Sequence, residues 1–194
     1  MVRACLIGIV GLATAATAAA AGPPAETLFG GDVTFGGYGA PVVRVGQFNG
    51  DVAAFAGAQG GVVLNHSLIL GLGGWALMPS VDVTDGVPRL IDFGYGGFLV
   101  EYVYPWQKLL HFHASLLIGG GGLVYNDVYF WEYGVVDAVF IAEPTVGVEL
   151  NVTQYLRLAV GAGYRYAADT ECEGLTDDDL RGVSGAAVFK IGVF

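Results

Sequence analysis

Charge is scarce in this sequence, and positive charge scarcest: eight Lys and Arg stand against 18 Asp and Glu in 194 residues. Charged residues make up 13% of the chain, about half the roughly 25% usual in soluble domains and too thin a coat to keep a water-facing surface dispersed. With a net charge of −10 and no basic cluster anywhere, nucleic acid is excluded as a partner, because phosphate backbones are held by Lys and Arg patches. Cysteine is nearly absent. Cys5 lies in the N-terminal leader and Cys172 stands alone after it, so no intramolecular disulfide can staple the mature chain. Beyond the leader no apolar run approaches the ~18 residues of a helical membrane span.

The leader itself reads as an export signal. Arg3 is its positive start, Ala4 to Ala18 its weakly hydrophobic centre, and Ala19-Ala20-Ala21 a small-residue cleavage site before Gly22-Pro23-Pro24. Cys5 follows Arg3 too closely, with no apolar stretch before it, to be a lipoprotein anchor. The organisation expected is a signal peptide over 1–21, a short lead over 22–30 and a single domain over 31–194.

What the chain has in abundance is glycine, 32 residues, and aromatics, 12% of the total. So much glycine opposes a helical fold, and the aromatics suit strands. Short alternating apolar stretches recur, punctuated by turn residues, and predict strands near 31–47, 52–64, 68–78, 90–104, 109–125, 138–151, 155–167 and 182–194. The connections at 65–67, 105–108 and 152–154 are tight. Those on the opposite side are Asn49-Gly50-Asp51 and three long ones, 79–89, 126–137 and 168–181. The long connections gather the charge, including Asp82, Asp85, Asp127, Glu132, Asp169, Glu171, Glu173 and Asp177-Asp178-Asp179.

Alternation decides which way the strands face. In 139–151 the odd positions hold Glu143, Thr145, Gly147 and Glu149 and the even ones Phe140, Ala142, Val146, Val148 and Leu150; in 155–167 the odd ones hold Arg157, Gly161 and Arg165, the even ones Leu156, Leu158, Val160, Tyr164 and Tyr166. Each strand has one continuous apolar face and one sparse polar face. A soluble barrel would turn grease inward and coat its outside with charge. The polar faces here are too thin for that, and suit the narrow lumen of an eight-stranded barrel, where charges must pair. The expected lumenal network is Arg44, Glu101, His111, His113, Glu143, Glu149, Arg157, Arg165 and Lys190. A three-residue turn at 152–154 would place Glu149 directly opposite Arg157 as an ion pair, and Glu101 should approach one of the histidines. Thr34 and Tyr38 are expected inward with Arg44. Asp92 and Glu101 differ in parity, so a β-bulge at Gly96-Gly97 is expected to bring both inside.

The chain ends Val188-Phe189-Lys190-Ile191-Gly192-Val193-Phe194. A last strand closing on Phe resembles the insertion signal of bacterial outer-membrane barrels. Phe194 shares parity with Lys190, which predicts that Phe194 bends outward or that Lys190 snorkels. Aromatics gather towards strand ends, as interfacial girdles do. Over 29–194 the pattern resembles the small eight-stranded OmpA, OmpX and OmpW-like barrels. The fold class expected is all-β, an eight-stranded antiparallel up-and-down transmembrane β-barrel. The resemblance implies an outer-membrane location with periplasmic termini and extracellular long loops, outer-membrane lipids and lipopolysaccharide as surroundings, and delivery by the barrel-assembly machinery through the strand ending at Phe194. No loop partner is implied.

Two chemical motifs compete with that structural reading. His113-Ala114-Ser115, with Glu101 nearby, is similar to the Ser–His–acid sites of outer-membrane lipid A deacylases, which face the bilayer; a lumenal position makes the same residues an interior network. His111-x-His113 could be half of a metal site, but with three histidines in the chain no metal or cofactor is expected. The acidic loops could hold Ca²⁺ or Mg²⁺ weakly, yet Asp177-Asp178-Asp179 lacks EF-hand spacing. The function expected is a non-enzymatic structural or surface-interaction barrel with no wide, porin-sized pore, with lipid modification as the alternative.

Overall fold

A computed structural model describes residues 33–78, 81–84, 88–127, 133–170 and 175–194, with only the backbone of 81–84, 88–91, 125–127 and 133–137. The first described strand, β1 (Phe35–Phe48), turns at Asn49-Gly50 into β2 (Asp51–Leu64), which turns at 65–67 into β3 (Leu68–Met78). Both turns have positive φ at their central residues (51° and 79° at Asn49 and Gly50, 48° and 59° at Asn65 and His66). That backbone twist matches the twist of paired strands. A short β4 (Val81–Thr84) precedes β5 (Pro88–Tyr104), followed by β6 (Leu110–Asp127), β7 (Tyr133–Asn151), β8 (Leu156–Ala168), the one-turn α1 (Asp177–Leu180) and β9 (Gly182–Val193).

Every pairing among these strands is antiparallel. β1 pairs with β9 and β3 pairs with β5, so the sheet closes on itself. β4 pairs with β5 beyond the end of β3, so the two share one position in the wall. The result is a closed eight-stranded up-and-down barrel. Closure pairs β3 with β5, the two strands that would otherwise be the edges of an open sheet.

Alternation sorts the side chains as the pattern demands. In β1 the even residues Tyr38, Ala40, Val42, Arg44 and Phe48 are buried and the odd ones exposed. In β7 Glu149 is 0% exposed while Val146 is 64% exposed. Thr34 departs from the expectation: it precedes β1, is exposed, and its N–H donates to the Asn65 carboxamide oxygen at 2.9 Å.

The expected bulge at Gly96-Gly97 is absent. β5 pairs with β6 in unbroken register from Arg89 to Tyr104, so Phe93, Tyr95, Leu99, Glu101 and Val103 share the buried face and Asp92 takes the other parity. The register shift lies instead in the β6–β7 pairing, between Leu123 and Val124.

Candidate functional site: the barrel lumen

The lumen is narrow, and large side chains enter it where the wall itself is thin. A Cβ at Gly73 would stand 2.7 Å from the Trp75 ring, and one at Gly147 would collide with Nε2 of His113. Glycine at these positions is therefore a packing requirement.

At the end bearing the tight turns the contents are ionic. Lys190 reaches from β9 to the carboxylates of both Glu101 and Glu149. Arg157 Nη1 lies 3.2 Å from Glu149 Oε1. His111 presents Nε2 to the same oxygen at 3.2 Å and Nδ1 to the Lys108 carbonyl at 3.2 Å. His113 Nδ1 lies 3.3 Å from Glu101 Oε1. The Glu149–Arg157 pair is thus formed, but not by direct opposition: Glu149 stands across from Ala159, and Arg157 across from Asn151. The turn is longer than three residues, running through the bends at 152–155, and the guanidinium spans the diagonal. Phe194 neither bends outward nor displaces Lys190. It packs 6.1 Å from the Tyr38 ring and under the Arg157 guanidinium at 4.0 Å, while Lys190 stays buried in its ion pairs.

Midway, Arg44 Nη1 meets Glu143 Oε1 at 2.6 Å and lies 4.3 Å over the Trp75 ring. Ser184 and Tyr95 hydroxyls donate to the two Glu143 oxygens at 2.7 and 2.9 Å. At the loop end the filling turns aromatic. Phe48 and Phe93 stack at 5.5 Å, and Phe55 and Tyr95 complete the layer. Arg165 enters this layer with no carboxylate paired to it among the described residues. Its guanidinium sits 4.9 Å from the Phe55 centroid, Nε donates to the Leu180 carbonyl at 2.6 Å, and Nη2 donates to the Gln47 carbonyl. Cation–π contact and charge-assisted hydrogen bonds take the place of a counter-ion.

Those bonds tie down α1, whose Leu180 is fully buried and near which Leu175 is 4% exposed. The Asn49 N–H donates to the Asp179 carbonyl at 2.7 Å, the Thr170 N–H donates to Asp177 Oδ1 at 2.9 Å, and Arg181 pairs with Asp177 and Asp178. The hydrogen bond from the Thr170 N–H, assisted by Arg181, holds the Asp177 carboxyl below its ordinary range.

All nine residues of the expected network are buried, in separate groups at different heights. Glu101 and His113 come together, but a Ser–His couple does not form. Ser115 stands across from Glu101 and Thr145, while His113 turns Nε2 toward Gly147 and Gly161. The two β6 histidines address different carboxylates, and among the described residues no group of three His, Cys, Asp or Glu could hold a metal. The aromatic layer, Trp75 and the buried Leu175 and Leu180 are what sequence reasoning missed. Extending the odd parity of Glu101 without interruption along β5 would have found Phe93 and Tyr95.

No family model matches this sequence, and no curated protein matches it. Solved structures do. Neisserial surface protein A superposes with a TM-score of 0.59 at 11% identity, covering 84% of this chain and 99% of that one. Ail, the attachment invasion locus protein of Yersinia pestis, gives 0.52 at 10%, covering 81% and 97%. Identities this low speak to architecture alone. The chain has the fold of the small eight-stranded outer-membrane β-barrels.

Proposed function

We propose that this chain is an integral outer-membrane protein with a structural or surface-interaction role, its termini and tight turns in the periplasm and its acidic loops outside. The observation that carries the reading is the combination of an apolar outer wall with a filled lumen. Valines, leucines and aromatics stand exposed around the wall, a surface that only lipid would solvate. Within, side chains follow one another from Phe194 and Tyr38 through the Lys190 cluster, Arg44–Glu143 and the aromatic layer to Leu180. Eight strands leave no room for more.

On this reading 1–21 is a cleaved signal peptide, lipopolysaccharide and phospholipid surround the wall, and the assembly machinery receives the strand ending at Phe194. On this reading the Glu101–His113 pair belongs to the packed interior, with both side chains buried. Planar bilayer recording of the refolded mature chain is the test. The expected trace shows no stable porin-sized steps, and large, reproducible steps would refute the filled-lumen role. Recovery of the chain in the outer-membrane fraction, with a heat-modifiable gel band, tests the location.

A further inference from the structure

The outer wall is not uniformly convex. Near the tight-turn end an open groove of about 470 Å³ lies across β5, β6 and β7. Its shape follows from register. Tyr104, Phe112 and Val148 form one outward row, and Tyr102, Ala114 and Val146 the next. Phe112 is 69% exposed, Tyr104 65% and Val146 64%, so bulky side chains stand up around Ala114, which ends at its Cβ. The dent is almost wholly apolar, with His113 and Gly147 between its two outward rows.

The turn that joins β5 to β6 lies beyond the Tyr104–Phe112 row of this groove, and it carries Lys108, which is exposed. Among residues with described side chains, every other cation is buried or paired: Arg44, Arg157, Arg165 and Lys190 lie in the lumen, and Arg181 is bound to Asp177 and Asp178. In a chain of net charge −10, the one exposed cation outside an ion pair in that set sits at the head of an acyl-sized furrow. Tyr104 beside it offers a hydroxyl at the level where headgroups begin.

We propose that this groove binds one anionic glycerophospholipid of the adjacent leaflet, its phosphate at Lys108 and an acyl segment over Ala114 between Tyr102, Phe112 and Val146. The assignment rests on the membrane reading above, which makes the leaflet the periplasmic one. Close van der Waals packing of the chain into the dent supplies the chain affinity, since lipid tails are already in an apolar medium, and a single Lys at the interface supplies the charge preference.

Native mass spectrometry of the full mature chain, released from detergent after titration with dioleoylphosphatidylglycerol or dioleoylphosphatidylcholine, tests it. The wild type should retain one phosphatidylglycerol in preference to phosphatidylcholine. Ala114→Trp, which fills the dent from the outside, should weaken retention about fivefold or more. Lys108→Gln should erase the preference for phosphatidylglycerol while leaving chain binding. Ala138→Trp, an outward residue of β7 beyond the groove, should change neither. Equal retention by wild type and Ala114→Trp overturns the groove, and a preference that survives Lys108→Gln overturns the headgroup assignment. A heat-modifiable band for every variant separates these failures from failure of the barrel itself.

Discussion

The two ends of one lumen are filled by opposite chemistries. At the tight-turn end Lys190, Arg157, Glu101 and Glu149 neutralise one another with His111 and His113 as further partners. At the loop end Arg165 lies among Phe48, Phe55, Phe93 and Tyr95 and is satisfied by carbonyls. The wall is an alternating antiparallel sheet at both ends, interrupted at the loop end by the register shift between Leu123 and Val124. What differs is the consequence of removing one group. In the ionic end a deletion strands a partner charge in a dry space; in the aromatic end it leaves a hole.

The largest expected effect is at the ionic end. Lys190→Met leaves Glu101 and Glu149 buried with one fewer cation, and should cost about 3–5 kcal/mol, read as a fall in the urea midpoint for losing the heat-modifiable band. Adding Glu101→Gln to Lys190→Met should recover part of that loss; no recovery would mean that Lys190 matters by packing, and the contrast between the ends would fail. Phe93→Ala should cost about 3–4 kcal/mol, and no companion charge change should rescue it.

Arg165→Met is intermediate. It removes two charge-assisted hydrogen bonds to backbone, worth about 1.5–3 kcal/mol each at most, and the damage should concentrate in α1, seen as faster amide exchange over 175–181 with little change in the Lys190 cluster. The smallest effect concerns Asp177. A carboxyl held low in the folded state contributes stability that is complete above the unfolded aspartate value near 4 and is lost as pH falls through the lower folded value. Amide exchange at Thr170 and Arg181 should therefore accelerate only below about pH 4, and Asp177→Asn should show the faster exchange already at pH 7. A wild-type profile flat down to pH 2 would remove the carboxylate from the strap.

Most of the wall was legible before any coordinates, because side chains that alternate in lipid must segregate by parity. β3 at 68–78 coincides with its expected span, β2 and β9 differ by one residue at one end, and β8 by one residue at each end. Glu143, Glu149, Arg157 and Arg165 were readable because polar residues among valines leave one permitted face. Aromatics carry no such mark, since Phe belongs equally to a lipid-facing girdle and to a packed interior. The demand that Asp92 join Glu101 inside then forced a bulge that the glycines Gly96 and Gly97 made plausible. The actual compromise leaves Asp92 off the lumenal parity and gives the inside of β5 to Phe93 and Tyr95. β4 and α1 were missed for a simpler reason. Four residues are too few for periodicity to register, and α1 is held by Arg165 and Asn49, contacts distant in sequence.

Spin labels on the outward face test the central claim most directly. Labels at Val43, Val62, Phe98, Val146, Val160 and Ile191, placed one at a time in the Cys172→Ser chain and reconstituted in phospholipid vesicles, should be relaxed strongly by oxygen and weakly by a water-soluble nickel chelate. Stronger relaxation by the chelate at these six positions would put that wall in water and contradict the account of a barrel that keeps its charges within and its apolar surface in the bilayer.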